Sequence, residues 1–262
     1  MSDRTALVTG ASAGIGKAYA ELLAREGYRL ILVARRVERL RELADQLAQA
    51  HGTQAEVIAA DLSQSDAVAI LVDEIERRGL TVDYLVNNAG LSNAGAFTDH
   101  PWETLAAEIQ VMITAVTELA HRLAPGMKAR GWGRIVNVSS VAAFAPTGKS
   151  MLYTGIKSYV LLMSQALDME LKPSGVHVSA LCPGFTRTEF HDVMGTRELA
   201  TKNLPGPLWS SAESVVKAGH AAVMRGEPVC IPGWINKAMA ASARRMPLWL
   251  GYRLGRDANP LE

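Results

Sequence analysis

Residues 6–17 read A-L-V-T-G-A-S-A-G-I-G-K, an apolar run followed by a glycine-rich turn and the start of a helix. The apolar run predicts a strand buried on both faces, because no polar residue alternates with it. Glycines stand at positions 10, 14 and 16, where a sharply turning chain lets another group approach its backbone. The helix that starts near Gly14 points its unpaired amide hydrogens and positive dipole end at this turn. The stretch therefore predicts a phosphate site, with a purely structural strand-to-helix turn as the alternative.

Strand-like and helix-like segments alternate along the rest of the chain. Apolar runs predict further strands at residues 29–34, 56–60, 82–86, 134–138, 176–181 and 228–232. The intervening segments predict helices at residues 36–49, 65–78, 101–125 and 149–171, the third opened by Pro101 and ended or bent by Pro125. Such alternation requires right-handed crossovers and a parallel sheet with helices on both faces. We therefore expect a single-domain, Rossmann-like, doubly wound α/β fold of about seven strands.

Length, charge and cysteine content narrow the class of protein. The chain has 262 residues, enough for one large domain, and its net charge of +1 argues against nucleic acid as the main partner. Only two cysteines occur, Cys182 and Cys230, which is typical of a reduced cytoplasmic compartment. The first residues lack the apolar core of a signal peptide, and no stretch reaches the roughly 18 apolar residues of a membrane span. We expect a soluble, cytoplasmic protein.

Polar residues and glycines occur where the predicted strands end, which is the edge of such a sheet that binds ligands. They are Gly10 to Gly16 after the first strand, Arg35 and Arg36 after the second, Asp61 after the third, Asn87 to Gly90 after the fourth, Ser139 and Ser140 after the fifth, and Pro183 and Gly184 after the sixth. We therefore expect one ligand site along this edge.

The residues after the second strand indicate which dinucleotide would bind. An NAD site usually has an acidic side chain there, about 20 residues beyond the glycine turn, to bond the ribose 2'-hydroxyl. Here Ala34 is followed by Arg35 and Arg36, and an arginine fork suits a 2'-phosphate. NADP is therefore favoured over NAD. The alternative is a solvated arginine pair at the start of the next helix, where cations oppose the helix dipole.

A tyrosine and a lysine at helical spacing supply the predicted acid–base chemistry. Tyr153 and Lys157 are four residues apart, so they share one face of a helix. A free tyrosine has a pKa of about 10, and a nearby ammonium group lowers that pKa by favouring the phenolate. Ser140, at the tip of the fifth predicted strand, could bond the carbonyl oxygen that the tyrosine protonates.

Taken together, these motifs resemble the short-chain dehydrogenase/reductase family. They are T-G-A-S-A-G-I-G at 9–16, N-N-A-G at 87–90, Ser140, Y-T-G-I-K at 153–157 and P-G at 183–184. The resemblance covers roughly residues 4–232. It implies an oxidoreductase that transfers a hydride between nicotinamide and a carbonyl or secondary alcohol, and a homodimer or homotetramer; the arginine pair makes NADP the expected cofactor.

The resemblance also implies the roles of individual residues. Tyr153 would be the general acid in reduction or the base in oxidation, Ser140 would orient the substrate oxygen, and Lys157 would hold the nicotinamide ribose and tune Tyr153. Cofactor contacts are implied for Gly10, Ser12, Ala13, Gly14, Ile15, Gly16, Arg35, Arg36, Asp61, Leu62, Asn87, Asn88, Ala89, Gly90, Tyr153, Lys157, Pro183, Gly184, Thr186 and Thr188. No metal site is predicted. Alternatively, Ser140 is a helix-approach hydroxyl and Asp61 caps the next helix.

One position departs from the family pattern. Most members carry an asparagine in the long helix before the fifth strand, where it holds a water of the proton relay, and our register places Met112 there. A thioether is at best a weak acceptor. Either backbone groups, Gln110 or Thr114 hold the water, or turnover is slow. The alternative function is therefore a dinucleotide-sensing or scaffolding protein of the same fold.

Two further segments concern the substrate. Residues 185–212 are expected to form a lid, within a domain that spans residues 1–232. Apolar side chains there and near the active tip imply a pocket for a ketone, an acyl chain or a steroid-like ring, or else they only pack the lid. They are Phe144, Met151, Leu152, Phe190, Met194, Leu199, Leu204 and Trp209.

The last segment, residues 233–262, predicts a basic amphipathic helical extension. It carries Lys237, Arg244, Arg245, Arg253 and Arg256 against Asp257 and Glu262. Such a helix can lie at a membrane surface, form a subunit contact, or cover the substrate mouth. The last two are favoured, because apolar stripes are more often packed than membrane-bound.

Overall fold

The computed structural model describes residues 4–91, 93, 96–145, 152–189 and 206–257. Its strands are β1 (Thr5–Thr9), β2 (Arg29–Ala34), β3 (Ala55–Ala59), β4 (Tyr84–Asn87), β5 (Gly133–Val138), β6 (Val176–Leu181), β7 (Thr186–Arg187), β8 (Ser210–Ser211) and β9 (Val229–Cys230). Its helices are α1 (Gly14–Arg25), α2 (Val37–His51), α3 (Ala67–Arg77), α4 (Trp102–Ile109), α5 (Ala115–Ala129), α6 (Tyr153–Leu171), α7 (Ala212–Met224), α8 (Trp234–Arg245) and α9 (Leu248–Asp257).

Seven strands form one parallel sheet in the order β3-β2-β1-β4-β5-β6-β9. The order reverses direction at β1, since β2 lies on one side of it and β4 on the other. Ligands of doubly wound folds bind at such a reversal, beyond the carboxyl ends of the strands. The predicted fold class is therefore confirmed, and the glycine turn lies at the reversal.

Alternate residues of the central strands face opposite layers of helices. Ala6 and Val8 of β1 pack in a core with the apolar faces of α1, α2 and α7. Leu7, between them, packs with α3, α5 and α6 on the other side of the sheet. A strand without polar alternation is thus buried on both faces, as the opening run of the sequence predicts.

Several predicted boundaries differ from the structure. The third strand begins one residue earlier than predicted, the fourth is Tyr84–Asn87 rather than residues 82–86, and the last is only Val229–Cys230. The predicted basic helix of the extension is two helices, α8 and α9, separated at Met246 and Pro247. The predicted lid residues 190–205, with Phe190, Met194, Leu199 and Leu204, lie outside the described residues, and so does Met151.

Of the two predicted effects of Pro125, that it ends its helix or bends it, the first is wrong, because α5 continues to Ala129. Pro125 itself is exposed, while Ala124 and Met127 beside it are buried in the core. A proline inside a helix removes one backbone hydrogen bond, but burial of the flanking apolar side chains holds the helical conformation.

Between α4 and α5 lies a π-helical segment, Gln110–Thr114, which no sequence signal predicts. Within the described part of the chain, no helix has the length and apolarity needed to cross a membrane.

We predict that Pro125→Ala raises the free energy of unfolding by about 1–2 kcal/mol. Alanine restores the missing amide donor at an exposed position, and this gain exceeds the advantage that proline brings by restricting the unfolded chain. Urea unfolding followed by circular dichroism measures the change. Pro247→Ala, at the start of α9, is the control and should show no gain. A fall in stability for Pro125→Ala would contradict this account of the helix.

Candidate active site

A cluster of hydrogen bonds fastens the glycine turn to the end of β4. The Thr9 hydroxyl accepts from the backbone amides of Asn88 and Ala89, both at 3.0 Å, and donates to the carbonyl of Val86 at 3.2 Å. The Asn88 side-chain amide donates to the carbonyls of Thr9 at 3.0 Å and Gly10 at 3.3 Å. The turn is therefore held by two strands at once.

The glycines of this turn are required by its geometry. Gly10 and Gly14 have φ angles of 64° and 57°, which side chains disfavour. A Cβ atom on Gly16 would collide with the carbonyl oxygen of Gly10. Helix α1 begins here after Ala13, and among the described residues neither a side-chain cap nor an acidic residue neutralises its first turn. Its amides and dipole therefore remain suited to an anion.

Asn87, the last residue of β4, and Asn88, which follows it, have side chains that point to opposite sides. Asn88 reaches the glycine turn, whereas the side chain of Asn87 is 3% exposed and donates to Asn137 Oδ1 at 2.9 Å. Asn137 in turn donates to the hydroxyl of Ser164 on α6. The structure thus places the Asn87 side chain in a buried polar row that ties β4 and β5 to α6. Ala89 and Gly90 continue from Asn88 along the edge of the sheet.

Ser140, Tyr153 and Lys157 meet where β5 ends and α6 begins. Ser140 begins a short 3₁₀ turn, in which its hydroxyl accepts from the amide of Ala142 at 3.1 Å, and its side chain also hydrogen-bonds Tyr153. The Lys157 ammonium lies 5.5 Å from the centre of the Tyr153 ring. The predicted sharing of one helix face is therefore found. The 3₁₀ turn also fits the alternative reading of Ser140 as a helix-approach hydroxyl.

The backbone around this group is fixed by the neighbouring strand. Lys157 Nζ donates to the carbonyl of Val138 at 2.9 Å, and the Ser139 hydroxyl donates to the carbonyl of Lys157 at 2.7 Å. The Ser139 amide bonds Leu181 of β6, and the Val141 amide bonds Pro183. The positions of Tyr153 and Lys157 are therefore determined by strand ends rather than by a free loop.

Burial changes the pKa values of both titratable groups. It raises the pKa of Tyr153 above its usual value, although the hydrogen bond with Ser140 acts in the opposite direction. It lowers the pKa of Lys157 to about 8. The expectation that Lys157 lowers the tyrosine pKa does not hold in this state, because desolvation is the larger effect and the ammonium is bonded to Val138.

An arginine pair lies beside the glycine turn, but it differs from the predicted pair. Arg36 donates to the Ser12 hydroxyl through Nε at 3.2 Å and Nη2 at 3.0 Å. Arg39, one helical turn later, joins Arg36 in binding the carboxylate of Glu189. Arg35 is exposed, and its charge helps to keep the pKa of Asp61 low against partial burial, as do hydrogen bonds from Ser63.

Asp61 and Leu62, two of the implied cofactor contacts, have structural roles. The Asp61 carboxylate accepts from the amide of Ser63 at 3.2 Å and from its hydroxyl at 2.8 Å, which is a local turn rather than the cap of α3. The Leu62 side chain is 6% exposed and belongs to the hydrophobic core below the sheet. Both residues follow the carboxyl end of β3.

The segment after β6 returns over the glycine turn. Pro183 is buried, and Gly184 packs so closely on Asn236 of α8 that a Cβ atom would collide with it. Thr186 is 5% exposed, and its hydroxyl donates to the Gly184 carbonyl at 3.0 Å. Thr188 faces the glycine turn, with its Cβ 3.1 Å from where a Cβ on Gly14 would stand. Elsewhere in the glycine turn, the Ile15 side chain packs against the hydrophobic core that α1 shares with β1.

Met112 lies in the π-helical segment and is 1% exposed, within the core. Its sulfur is 3.5 Å from where a Cβ on Gly90 would stand. Of the two suggested substitutes, Thr114 is exposed, whereas the Gln110 side chain has a buried amide nitrogen without a hydrogen-bond partner among the described residues. Gln110 is therefore the better candidate for holding a water.

Some residues at the site are not among those predicted from the sequence. Arg39 and Glu189 are 150 residues apart, and their contact depends on the fold alone. Asn236 and Arg244 belong to α8, and Arg244 lies 4.6 Å from the centre of the Phe144 ring beside Ser140. The helical spacing from Arg36 to Arg39 is a signal that could have identified Arg39.

Comparison with known proteins agrees with this architecture. The family model for short chain dehydrogenases matches residues 4–198. An uncharacterized oxidoreductase of Myxococcus xanthus is 31% identical over 247 residues, which are 94% of each chain. A short-chain dehydrogenase from Sphingobium yanoikuyae in complex with NADPH is 35% identical with a TM-score of 0.82, covering 98% of this chain and 99% of that one.

A second solved structure shares the fold over most of its length. The bulky-bulky ketone specific alcohol dehydrogenase from Comamonas testosteroni is 33% identical with a TM-score of 0.77, covering 93% of this chain and 95% of that one. The family match spans well over half of the chain, and the oxidoreductase relative nearly all of it. The chain therefore belongs to the short-chain dehydrogenase/reductase family of oxidoreductases.

Proposed function

We propose that this protein is an NADP-dependent reductase of carbonyl compounds, or the corresponding alcohol dehydrogenase. The observation that carries the proposal is the convergence of Ser140, Tyr153 and Lys157 on the sheet edge that also holds the glycine turn. A binding protein has no need for a hydroxyl, a phenol and an ammonium group in this arrangement. NADPH, when bound, supplies the hydride.

The residues present fit a dinucleotide. Among the described residues no side chain caps the first turn of α1, so its amides and dipole suit a pyrophosphate, and a Cβ atom on Gly10 or Gly16 would collide with neighbouring atoms. Arg36, bonded to Ser12, and Arg39 offer charge-assisted donors for a 2'-phosphate. The positions directly after β2 are held by Arg35 and Arg36 instead of the acidic residue that would bond a 2'-hydroxyl. These features favour NADP over NAD.

The chain's own groups would handle the proton. A buried phenol with a raised pKa keeps its proton near neutrality, so Tyr153 is prepared to protonate a carbonyl oxygen in the reductive direction. Ser140, bonded to that phenol, would hold the same oxygen. With a pKa of about 8, Lys157 is mainly an ammonium at pH 7 and stabilises negative charge as it develops on the tyrosine.

Apolar surroundings support an apolar substrate. Phe144 follows Ser140, and Phe185 packs on Trp209 with their ring centres 5.7 Å apart. The Comamonas testosteroni relative is named for bulky ketones. Helix α8, in contact with Phe144 and Gly184, supports the reading of the C-terminal extension as a cover over the substrate mouth.

The second candidate is a dinucleotide sensor of the same fold. It is favoured only by Met112, whose side chain cannot replace the asparagine of the usual relay. Because the buried amide nitrogen of Gln110, in the same π-helical segment, has no hydrogen-bond partner among the described residues, the relay position does not by itself favour loss of chemistry.

We predict that the wild-type protein oxidises NADPH in the presence of at least one aldehyde, ketone, 3-oxoacyl thioester or steroid. Tyr153→Phe should lower kcat by about 10²-fold or more, because it removes the general acid. NADPH affinity, measured by nicotinamide fluorescence, should change far less. The matched control is Tyr159→Phe on the same helix. The Tyr159 hydroxyl hydrogen-bonds Thr117 at 2.9 Å, and its removal should leave kcat unchanged. NADPH binding without turnover across the panel would instead favour the sensor.

We predict that Lys157→Met abolishes efficient turnover yet stabilises the cofactor-free protein at pH 7. The pKa of Lys157 is near 8 when folded and higher when unfolded, so the unfolded state binds more protons between those values. Wild-type stability therefore rises with pH from about 8 to 10, while the variant lacks this rise. The advantage of the variant should reach up to about 3 kcal/mol at pH 7 and shrink above pH 8.

Urea unfolding at pH 7 and pH 9.5 measures this difference. The control is Lys217→Met, an exposed lysine of α7, which should be neutral at both values. Equal destabilisation of Lys157→Met at both pH values would show that the ammonium stabilises the fold, contrary to this account.

A further inference from the structure

The carboxylate of Glu189 lies between the two arginines of the proposed 2'-phosphate site. Arg39 Nη1 donates to both of its oxygens, at 3.0 Å and 2.8 Å, and Arg36 Nη1 donates to Oε2 at 3.3 Å. All three side chains are roughly half exposed. The arrangement is a single carboxylate shared by two guanidinium groups.

The chain around Glu189 is positioned by the glycine turn rather than by the arginines alone. Thr188 packs against Gly14. Strand β7 ends at Arg187, directly before Thr188, and pairs with β8. Arg36 is held from its other edge by the Ser12 hydroxyl. The carboxylate therefore occupies a defined anion position beside Ser12, at the end of β2.

The shared carboxylate remains ionised near neutrality. Partial burial acts to raise the pKa of Glu189, but hydrogen bonds from Arg39 and Arg36 outweigh it and hold the pKa below its usual value. A phosphate monoester carries about two negative charges at pH 7. A carboxylate and such a phosphate at one guanidinium pair repel each other, so both cannot keep their full set of bonds.

We propose that Glu189 is an internal competitor for the 2'-phosphate of NADP(H) and so sets the selectivity between NADP(H) and NAD(H). This proposal rests on the proposed function. NADP(H) must displace the carboxylate from Arg36 and Arg39 to bind, whereas NAD(H), which has a neutral 2'-hydroxyl, need not. Glu189 therefore lowers the preference for NADP(H) that the arginines alone would give.

The test measures dissociation constants of NADPH and NADH for Glu189→Gln by isothermal titration calorimetry at low ionic strength. Glutamine keeps the shape and removes the charge, so NADPH should bind about fivefold more tightly. The constant for NADH should stay within about twofold. The NADPH gain should shrink in high salt, because exposed ion pairs are screened.

Two comparisons separate competition from general charge effects. Glu38→Gln removes an equal charge from an exposed position on α2, and no described residue forms an ion pair with Glu38, so this variant should leave both constants unchanged. In a protein that carries Arg36→Ala and Arg39→Ala, the substitution Glu189→Gln should no longer tighten NADPH. Thermal melts of all variants check that the fold is intact, and Glu189→Ala serves as a second variant.

Each binding result either supports or overturns the proposed role of Glu189. Unchanged or weaker NADPH binding by Glu189→Gln, an equal gain for NADH, or an equal gain for Glu38→Gln would overturn the role of Glu189. If the wild type binds NADPH and turns over substrate, such a result leaves the proposed function standing. A wild-type protein that binds neither nucleotide would overturn both.

Discussion

The site depends on the hydrogen bonds of the Thr9 hydroxyl. This hydroxyl accepts from the amides of Asn88 and Ala89 and donates to the carbonyl of Val86. It joins the ends of β1 and β4, the two strands between which the order of the sheet reverses. The three glycines of the turn have no side chains that could hold its shape, so neighbouring residues must stabilise it. Asn88 completes the brace by bonding the carbonyls of Thr9 and Gly10. A rigid turn is what an anion site at a helix start requires.

Strand ends also position Ser140, Tyr153 and Lys157, the proposed acid–base group. The end of β5 supplies Ser139 and Ser140, and hydrogen bonds from both serines reach α6. Because Lys157 bonds Val138, the strand also fixes the lysine. Burial then opposes charge on both the phenol and the ammonium. At pH 7 only the buried ammonium lowers stability, because a phenol is neutral whether or not it is buried, and shifted pKa values of this kind tend to occur at functional sites.

Much of the fold follows from local sequence, because buried strands and glycine turns have strong local signals. The bounds of β2 are as predicted, and α1 begins at Gly14 as predicted. What failed depends on distant partners. Pro125 lies within a helix because the core holds its neighbours. The π-helical segment at Gln110–Thr114 and the contact of Glu189 with Arg39 are also set by the tertiary fold.

At the site, the sequence identified the motifs better than the direction of each side chain. The sequence predicts the same role for Asn87 and Asn88, yet the alternation of side chains along a strand directs Asn87 into the core and Asn88 toward the glycine turn. It also predicts one role for Arg35 and Arg36, but of these two only Arg36 bonds Ser12. In both pairs the residue type was informative, whereas the orientation required the sheet.

The most direct measurement is a crystal structure of the protein with NADPH. The account predicts the pyrophosphate at the first turn of α1, the 2'-phosphate between Arg36, Arg39 and Ser12, and the nicotinamide beside the Tyr153 hydroxyl. Nucleotide bound elsewhere, or a Tyr153 hydroxyl directed away from the nicotinamide, would contradict it.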